Sequence, residues 1–294
     1  MIPQQATPGV SPVIMLLVFV TCLLLTVATI ILSRQKKMTR RKSAIFLIIS
    51  MIGGGFLLGA LPNPIQPINQ LLLALRGIGL NLTLVPMVLV LVALLASTLL
   101  AGRAFCSHAC PLGAMQELLS LIKFKAAVTG QRGVKGRVTI PERAATFIRI
   151  IVFAAFIIVT ITWGISIIQL TSPFLGFRVF MAPGIAAIAI PVAMLATIAI
   201  ASVFVYRPWC RLACPFGTLA WLTSRTSKYK LRRTSSCTDC KSCEQACPTN
   251  EAARGTSKSN CFLCNRCIDA CPKDAIVFDS EKGDKTKHIT REER

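Results

Sequence analysis

The sequence predicts a mainly α membrane protein in which five transmembrane helices precede a small α+β domain. Three observations support this prediction. The 294 residues are 53% hydrophobic, with a mean hydropathy of +0.63, which is too apolar for an ordinary soluble domain. Five uncharged apolar runs have the roughly 17–25 residues needed to cross a bilayer. Nearly all of the 13 cysteines fall in repeated motifs.

The five apolar runs define the predicted transmembrane helices. They lie at residues 13–32, 44–61, 82–101, 150–168 and 185–205. The first run could be a signal peptide, but its N-terminal flank has no positive charge and its C-terminal flank reads RQKKMTRRK. We therefore expect an uncleaved anchor with its N-terminus outside the cell.

Charge predicts the orientation of this bundle. The chain has 33 Lys and Arg against 12 Asp and Glu, a net charge of +21. If five helices alternate, the basic clusters lie on one side, and the other side carries only Arg76 and Arg178. The positive-inside rule places the basic side in the cytoplasm. We expect a multi-pass protein of the inner, cytoplasmic membrane that contacts anionic lipid and binds no nucleic acid.

Two cysteine runs of identical spacing occupy the C-terminal domain. Both read C-x-x-C-x-x-C-x-x-x-C-P, at 237–248 and 261–272. In two-cluster ferredoxins, three closely spaced cysteines and the fourth cysteine of the other run hold each 4Fe-4S cluster. The predicted ligands are Cys237, Cys240, Cys243 and Cys271 for cluster 1, and Cys261, Cys264, Cys267 and Cys247 for cluster 2. Structural zinc, the alternative, usually uses paired C-x-x-C knuckles. The segment 230–280 resembles a bacterial-type 2x4Fe-4S ferredoxin.

A second motif occurs twice, after the third and the fifth apolar run. R-A-F-C-S-H-A-C-P-L-G at 103–113 aligns with R-P-W-C-R-L-A-C-P-F-G at 207–217, which indicates duplicated helical hairpins. A spacing of i, i+4 on a helix places two thiols on one face, so the two pairs could meet. We expect a third iron-sulfur cluster, or another redox site, on Cys106, Cys110, Cys210 and Cys214. The alternative is that these thiols are reduced packing residues.

Residues 44–280, with two C-x-x-x-C-P repeats and a C-terminal ferredoxin, resemble the membrane ferredoxin subunit of periplasmic nitrate reductase systems. They are also similar to the membrane core of nitrous oxide reductase regulators and to cytochrome oxidase assembly factors with polyferredoxin domains. The first resemblance implies quinol oxidation, with electrons leaving through iron-sulfur clusters. The assembly factors imply delivery of reducing equivalents to a metal centre. The chain differs from the first family by an additional helix, and from the regulators by lacking an extracytoplasmic flavin-binding domain.

Three side chains of the repeated motif are candidate quinone contacts: Arg103, His108 and Arg207. The arginines could hold quinone oxygens or cluster charge, or could extend to lipid headgroups. His108 could contact quinone, transfer a proton or bind iron, with a solvated interface histidine as the main alternative. Neither histidine of the chain lies in an apolar run, and there is no C-x-x-C-H motif, so we expect no haem.

The expected organisation has six segments. These are an anchor helix with a basic turn (1–43), a first helical hairpin (44–126), a cytoplasmic linker (127–143), a second hairpin (144–229), the ferredoxin (230–280) and a charged tail (281–294). The expected function is that of an electron-transfer component of a quinol dehydrogenase-like oxidoreductase, working between a quinone pool and a redox partner protein. A redox assembly or maturation factor is the alternative, and a redox sensor is a third. No catalytic residue is singled out.

Overall fold

The computed structural model describes residues 12–59, 63–77, 84–128, 140–164, 171–180 and 189–280. This part of the chain is mainly helical. Its α-helices are α1 (Pro12–Arg34), α2 (Arg40–Ile49), α3 (Ile65–Leu75), α4 (Leu84–Ala101), α5 (Pro111–Val128), α6 (Glu142–Trp163), α7 (Pro173–Gly176), α8 (Ala189–Phe204), α9 (Pro208–Leu212), α10 (Pro215–Ser224), α11 (Ser242–Ala246) and α12 (Arg266–Asp269). The other elements are π-helical turns at Ser50–Leu57 and Phe105–Ala109, a 3-10 helix at Phe177–Phe180, and strands β1 (Tyr229–Arg233) and β2 (Ile276–Ser280).

Two helices are long and apolar enough to cross a bilayer, by length and composition. They are α6 and the part of α1 at Leu17–Arg34. The apolar parts of α4 and α8 are shorter, and α2 gives way to a π-helical turn that contains the glycines of the second apolar run. Five crossings are therefore not confirmed. Parts of four predicted runs, at 60–61, 82–83, 165–168 and 185–188, lie outside the described residues.

The outside of the helical bundle is strongly apolar. Leu24 of α1, Leu89 of α4, Phe147 of α6 and Ile190 of α8 are among its exposed large side chains. Within the fully described segment 229–280, no large apolar side chain is exposed. Large exposed apolar surfaces are uncommon on soluble monomers. This surface and the two long apolar helices favour a membrane location, without fixing the number of crossings or the orientation.

The two copies of the repeated motif meet inside the bundle. Phe105 and Phe216, one from each copy, are fully buried, and their rings pack edge to face with centroids 5.8 Å apart. Around them, α5 packs against α8, and α10 packs against α4 and α6. The core of the bundle therefore includes both cysteine motifs, together with mid-helix residues such as Leu94, Phe156 and Ile198.

The C-terminal domain is built on an antiparallel pair of strands. β1 pairs with β2 from Tyr229 opposite Ser280 to Arg233 opposite Ile276. β2 packs against α1 and β1 against α4, so the domain is seated directly on the bundle. The linker predicted for 127–143 is shorter than expected, because α5 continues to Val128 and α6 begins at Glu142. Residues 129–139 of this linker, and the predicted tail 281–294, lie outside the described residues.

Candidate functional site

The two cysteines of each C-x-x-x-C-P motif do not share one helix face, so this prediction was wrong. Cys106 lies in a π-helical turn and Cys210 in α9, whereas Cys110 and Cys214 are extended residues that immediately precede α5 and α10. Proline explains the difference, because it disfavours helical backbone in the residue before it and suits the first position of a helix. Each motif therefore presents one thiol from the end of a helix and one from the start of the next.

The glycine that follows each of these prolines two residues later has a structural reason. The N–H of Gly217 donates to the Sγ of Cys214 at 3.3 Å. A Cβ at this glycine would lie 2.7 Å from the carbonyl oxygen of Cys210, closer than packed atoms approach. In the first copy, the N–H of Gly113 likewise donates to the thiol of Cys110, and a Cβ at Gly113 would clash with the carbonyl oxygen of Cys106. The recurring C-P-x-G pattern is thus a packing requirement of the cysteine turn.

Three cavities of similar size are each lined by four cysteines. We name them the bundle cavity (Cys106, Cys110, Cys210, Cys214), the proximal cavity (Cys247, Cys261, Cys264, Cys267) and the distal cavity (Cys237, Cys240, Cys243, Cys271). The space between atoms around them is about 310, 350 and 340 Å³, respectively, of which about 10, 20 and 10 Å³ is accessible to water. The structure thus brings together the same three sets that the sequence grouped. Among the described residues, no three His, Cys, Asp or Glu side chains converge on a single metal ion. A four-iron cluster is larger than one ion, so its thiolates surround a cavity.

The backbone of the two ferredoxin runs repeats one conformation. Residues on either side of the middle cysteine have positive φ, at 53° for Asp239 and 58° for Lys241, and at 48° for Leu263 and 60° for Asn265. Residues other than glycine rarely adopt this conformation. Turns of this kind direct successive N–H groups into a concavity that binds negatively charged groups, including iron-sulfur clusters. The proximal and distal cavities therefore fit a 4Fe-4S cluster in backbone as well as in ligand type.

Two buried arginines compensate charge at the bundle cavity. Arg103, which lines the cavity, is 1% exposed, and Arg207 is 0% exposed, so the alternative of extension to lipid headgroups was wrong. Arg103 donates from Nη2 to the carbonyl of Gly217, while its Nε and Nη1 have no hydrogen-bond partner in the described part of the chain. Burial and repulsion from Cys210 raise the pKa of Cys106 to about 12, and both guanidiniums oppose this rise. The two guanidiniums would therefore offset part of the negative charge of thiolates that held an iron-sulfur cluster in this cavity.

His108 is buried rather than solvated, so the interface alternative was wrong. It is 1% exposed, and its ring lies between two hydroxyl groups, Nδ1 at 2.7 Å from Ser107 and Nε2 at 2.8 Å from Ser43. When Ser107 donates its one proton to the carbonyl of Ala104 at 2.6 Å, the ring donates from Nδ1 and accepts at Nε2. Burial and the nearby Arg207 lower the pKa of His108 to about 4. The ring is a neutral structural link between α2 and the motif.

A buried carboxylate that the sequence analysis missed joins the bundle to the ferredoxin. Glu117 of α5 accepts hydrogen bonds from Tyr206 at 2.7 Å, from Arg207 at 2.9 Å and from Arg266 of α12 at 2.5 Å. The signal that could have found it is position, because Glu117 is the first acidic residue of the chain and stands in an apolar stretch. An acidic residue in such a place needs buried partners.

Phe262 forms a common wall of the bundle and proximal cavities. Its ring is 2% exposed, and the guanidinium carbons of Arg103 and Arg207 each lie 4.8 Å from its centroid. At the other end of the ferredoxin, Cys243 of the distal cavity and Cys267 of the proximal cavity belong to one small apolar cluster. The three cavities therefore form a row, from the bundle to the distal cavity, where Cys240 is exposed.

Gln116 is a second residue that the sequence analysis missed. Its Nε2 donates to the Sγ of Cys210 at 3.3 Å, and its Oε1 accepts from the N–H of Trp209 at 3.2 Å. No spacing pattern indicates this contact, since the second copy of the motif has Ala220 at the equivalent position. Hydrogen bonds to cluster sulfurs are among the factors that set reduction potentials.

Comparison with known proteins agrees with this donor set. Segments 83–128 and 186–234 both match one family of 4Fe-4S binding domains, and each contains one copy of the C-x-x-x-C-P motif. Residues 256–277 match a second family of 4Fe-4S binding domains. The cysteine run at 237–247 falls between the matched segments.

Two curated proteins are similar over about half of the chain. "Putative electron transport protein YccM" of Escherichia coli K12 is 31% identical over 164 residues, which are 55% of this chain and 45% of that protein. The uncharacterized protein MJ0750 of Methanocaldococcus jannaschii is 27% identical over 161 residues, 54% of this chain and 63% of that protein. The chain thus spans less than two thirds of either relative, and no solved structure matches it. The matched domains and the first relative support an iron-sulfur electron-transport protein.

Proposed function

We propose that the chain is a membrane-bound carrier that passes electrons between a lipid-soluble quinone pool and a partner protein through three 4Fe-4S clusters. The observation that carries this proposal is the row of three four-cysteine cavities. Phe262 is a common wall of the first two, and the apolar cluster that contains Cys243 and Cys267 links the second to the third. A bound 4Fe-4S cluster supplies one-electron transfer at each site. Oxidation of a quinol releases two electrons and two protons, so a two-electron donor would need a chain of such one-electron sites.

The membrane topology is part of the proposal. We infer five crossings with the N-terminus outside and the ferredoxin domain in the cytoplasm. The apolar outer surface of α1, α4, α6 and α8 supports burial in lipid, and the basic residues around the cysteine motifs support a cytoplasmic position for them. The partner protein would meet the distal end of the row, where Cys240 is exposed.

The chain's own residues have distinct roles in this proposal. The three cysteine sets hold the clusters, and Arg103 and Arg207 offset the negative charge of the thiolates in the bundle cavity. Phe262 keeps water out of the wall between the bundle and proximal cavities. Glu117 fixes the ferredoxin on the bundle through Arg266, so that this wall stays closed.

The number of clusters can be measured directly. Anaerobic purification in detergent followed by iron and sulfide analysis should give about twelve irons per chain, four for each cubane. A Cys106→Ser, Cys210→Ser double variant should lose about four. The matched control is Cys22→Ser, since Cys22 is buried but lines none of the three cavities. About eight irons in the wild type, unchanged in the double variant, would reject the bundle site.

The donor can be tested by electron paramagnetic resonance of the same protein with a reduced quinol analogue. Signals of reduced clusters should appear on adding quinol when its potential allows the transfer. Reduction by dithionite alone, over the whole range of quinol potentials tested, would reject the quinone proposal. That outcome would favour an assembly role, in which the electrons go to a metal or thiol of a client protein.

A further inference from the structure

The three predicted quinone contacts are not exposed at the surface of the protein. Arg103, His108 and Arg207 are all buried, and the side chains of His108 and Arg207 form hydrogen bonds with protein groups.

A groove at another place on the molecule is open. It lies between the first turns of α6, the end of α10 and the ferredoxin loop 249–260, and has a water-accessible volume of about 540 Å³. Sites for small molecules typically have about 300–1,000 Å³.

One wall of this groove is apolar and leads along a membrane-type helix. Phe147 and Ile150 of α6 and Trp221 of α10 line it, and Phe147 is 67% exposed. From these residues, α6 continues for three further turns of apolar sequence, and it is one of the two helices with the length and composition to cross a bilayer. A lipid-soluble molecule could therefore enter from the hydrocarbon side without crossing water.

The opposite wall is polar and incompletely hydrogen-bonded. Glu251 is 6% exposed, and its Oε1 accepts from the N–H of Asn260 at 3.0 Å, but its Oε2 has no hydrogen-bond partner among the described residues. Asn260 donates from Nδ2 to Glu142 at 2.7 Å. Its Oδ1 accepts from Arg149, which does not line the groove and whose guanidinium carbon lies 5.0 Å from the centroid of the Trp221 ring. An unsatisfied group such as Oε2 of Glu251 is costly unless a ligand or water completes it.

The groove also adjoins a four-cysteine site. Thr249 and Glu251 line both the groove and the proximal cavity, so one layer of protein separates the two spaces. A groove that bound only lipid would not have to lie beside the proximal cavity. A redox-active ring held here would stand next to the cysteine set Cys247, Cys261, Cys264 and Cys267.

We propose that this groove binds the ring of a lipid-soluble quinone or quinol, an inference that rests on the proposed function. The ring packs on Phe147 beside Trp221, and the tail follows Ile150 along α6. A quinol hydroxyl donates to the carboxylate of Glu251, whose buried Oε2 must turn into the groove to accept it. The electrons would then enter the row at the proximal cavity, rather than at Arg103, His108 and Arg207. In the oxidation of the quinol, its two protons leave to water at the open side of the groove, and its two electrons pass singly to one-electron carriers of the iron-sulfur class.

The test is photo-crosslinking of an azido-quinone with a short isoprenoid tail to the cluster-loaded protein, with mapping of the labelled peptides and a binding isotherm. Label should appear in peptides of α6, α10 or 249–260. Phe147→Ala should weaken binding by about tenfold, with the dithionite-reduced cluster signals unchanged. Glu251→Gln, whose side chain also lines the proximal cavity, should weaken binding similarly. The matched control is Trp163→Ala, which removes an aromatic ring 71% exposed at the other end of α6 and should bind as the wild type does.

Label elsewhere, or wild-type affinity in both groove variants, would overturn the inference. Displacement of the probe by phosphatidylglycerol but not by unlabelled quinone would also overturn it and make the groove a lipid site. The outcome for the proposed function is separate. Quinol that reduces the clusters of both groove variants as fast as those of the wild type leaves the function standing without this site. Labelling in the groove without any reduction by quinol supports the site and rejects the function.

Discussion

The carboxylate of Glu117 accepts a hydrogen bond from the Nε of Arg207 at 2.9 Å, and these side chains are 6% and 0% exposed, respectively. Arg266 of the ferredoxin binds the other oxygen of the same carboxylate. Glu117→Gln would leave two buried guanidiniums without their counter-charge. Breaking a buried ion pair in this way costs about 3–5 kcal/mol. We expect a loss of this size in the free energy of unfolding, measured by chemical denaturation in detergent.

The matched control for Glu117→Gln is an exposed ion pair that also joins the bundle to the ferredoxin. Arg40 and Asp269 are 2.9 Å apart, with side chains 60% and 26% exposed. Exposed pairs of this kind contribute about 0–1 kcal/mol, so Asp269→Asn should have little effect on the free energy of unfolding. Equal losses in the two variants would contradict a special role for the buried contact.

The stability that Glu117 provides should depend on pH. Burial alone would raise the pKa of this carboxyl, but the guanidiniums of Arg266 and Arg207 outweigh burial and lower the pKa from 4.5 to about 2. A lowered pKa stabilises the folded state fully above the ordinary value, and this contribution, about 3 kcal/mol, is lost as the pH falls from 4.5 towards 2. The difference in unfolding free energy between the wild type and Glu117→Gln should be constant from about pH 7 to 5 and shrink below that range. A difference that grows on acidification would argue against this ion pair.

Local spacing was enough to predict that the three closely spaced cysteines of each ferredoxin run come together, whereas the placement of Cys247 and Cys271 followed from the two-cluster ferredoxin pattern. Cys261, Cys264 and Cys267 lie within seven residues of one another, so the turns that separate them determine a shared cavity.

The bundle cavity could be predicted for a different reason, since a duplicated motif tends to pack with its copy. The helix break inside that motif was also within reach of the sequence, because Pro111 and Pro215 directly follow the second cysteines. An i, i+4 spacing places two side chains on one helix face only where the helix continues through both residues, and these prolines end it.

The contacts between the bundle and the ferredoxin could not be predicted from patterns. Glu117 and Arg266 are 149 residues apart in the chain, and nothing in the spacing of either residue indicates the other. The position of Phe262 could not be predicted either, because nothing in the sequence indicates that an aromatic residue inside a cysteine run will line a second cavity. Such contacts depend on how the helical bundle and the ferredoxin pack against each other. The polar residues that complete the site were missed for this reason.

The C-P-x-G glycines should be necessary for the bundle site. Gly217→Ala would place a Cβ 2.7 Å from the carbonyl of Cys210, so the turn that carries this thiol must shift. We expect the variant to lose about four irons per chain, those of one cubane, while the ferredoxin clusters remain. The matched control is Gly53→Ala, because a Cβ at Gly53 meets no atom within 4 Å. Full iron content in Gly217→Ala would contradict the packing argument.

The contact between Gln116 and Cys210 should raise the reduction potential of the bundle site. A donor to a ligand sulfur favours the more negative, reduced state, and Nε2 of Gln116 lies 3.3 Å from this Sγ. Gln116→Leu removes the donor with little change in volume. A hydrogen bond worth about 0.5–1.5 kcal/mol in one redox state corresponds to roughly 20–60 mV, at 59 mV per tenfold change for one electron. Potentiometric titration followed by electron paramagnetic resonance should therefore show a potential lower by that amount in Gln116→Leu, with the ferredoxin potentials unchanged.

Thr98→Val is the control, because it removes a buried hydroxyl whose partners are Thr223 and the carbonyl of Leu95 rather than a cysteine. An unchanged potential in Gln116→Leu, or an equal shift in Thr98→Val, would show that this hydrogen bond does not tune the site.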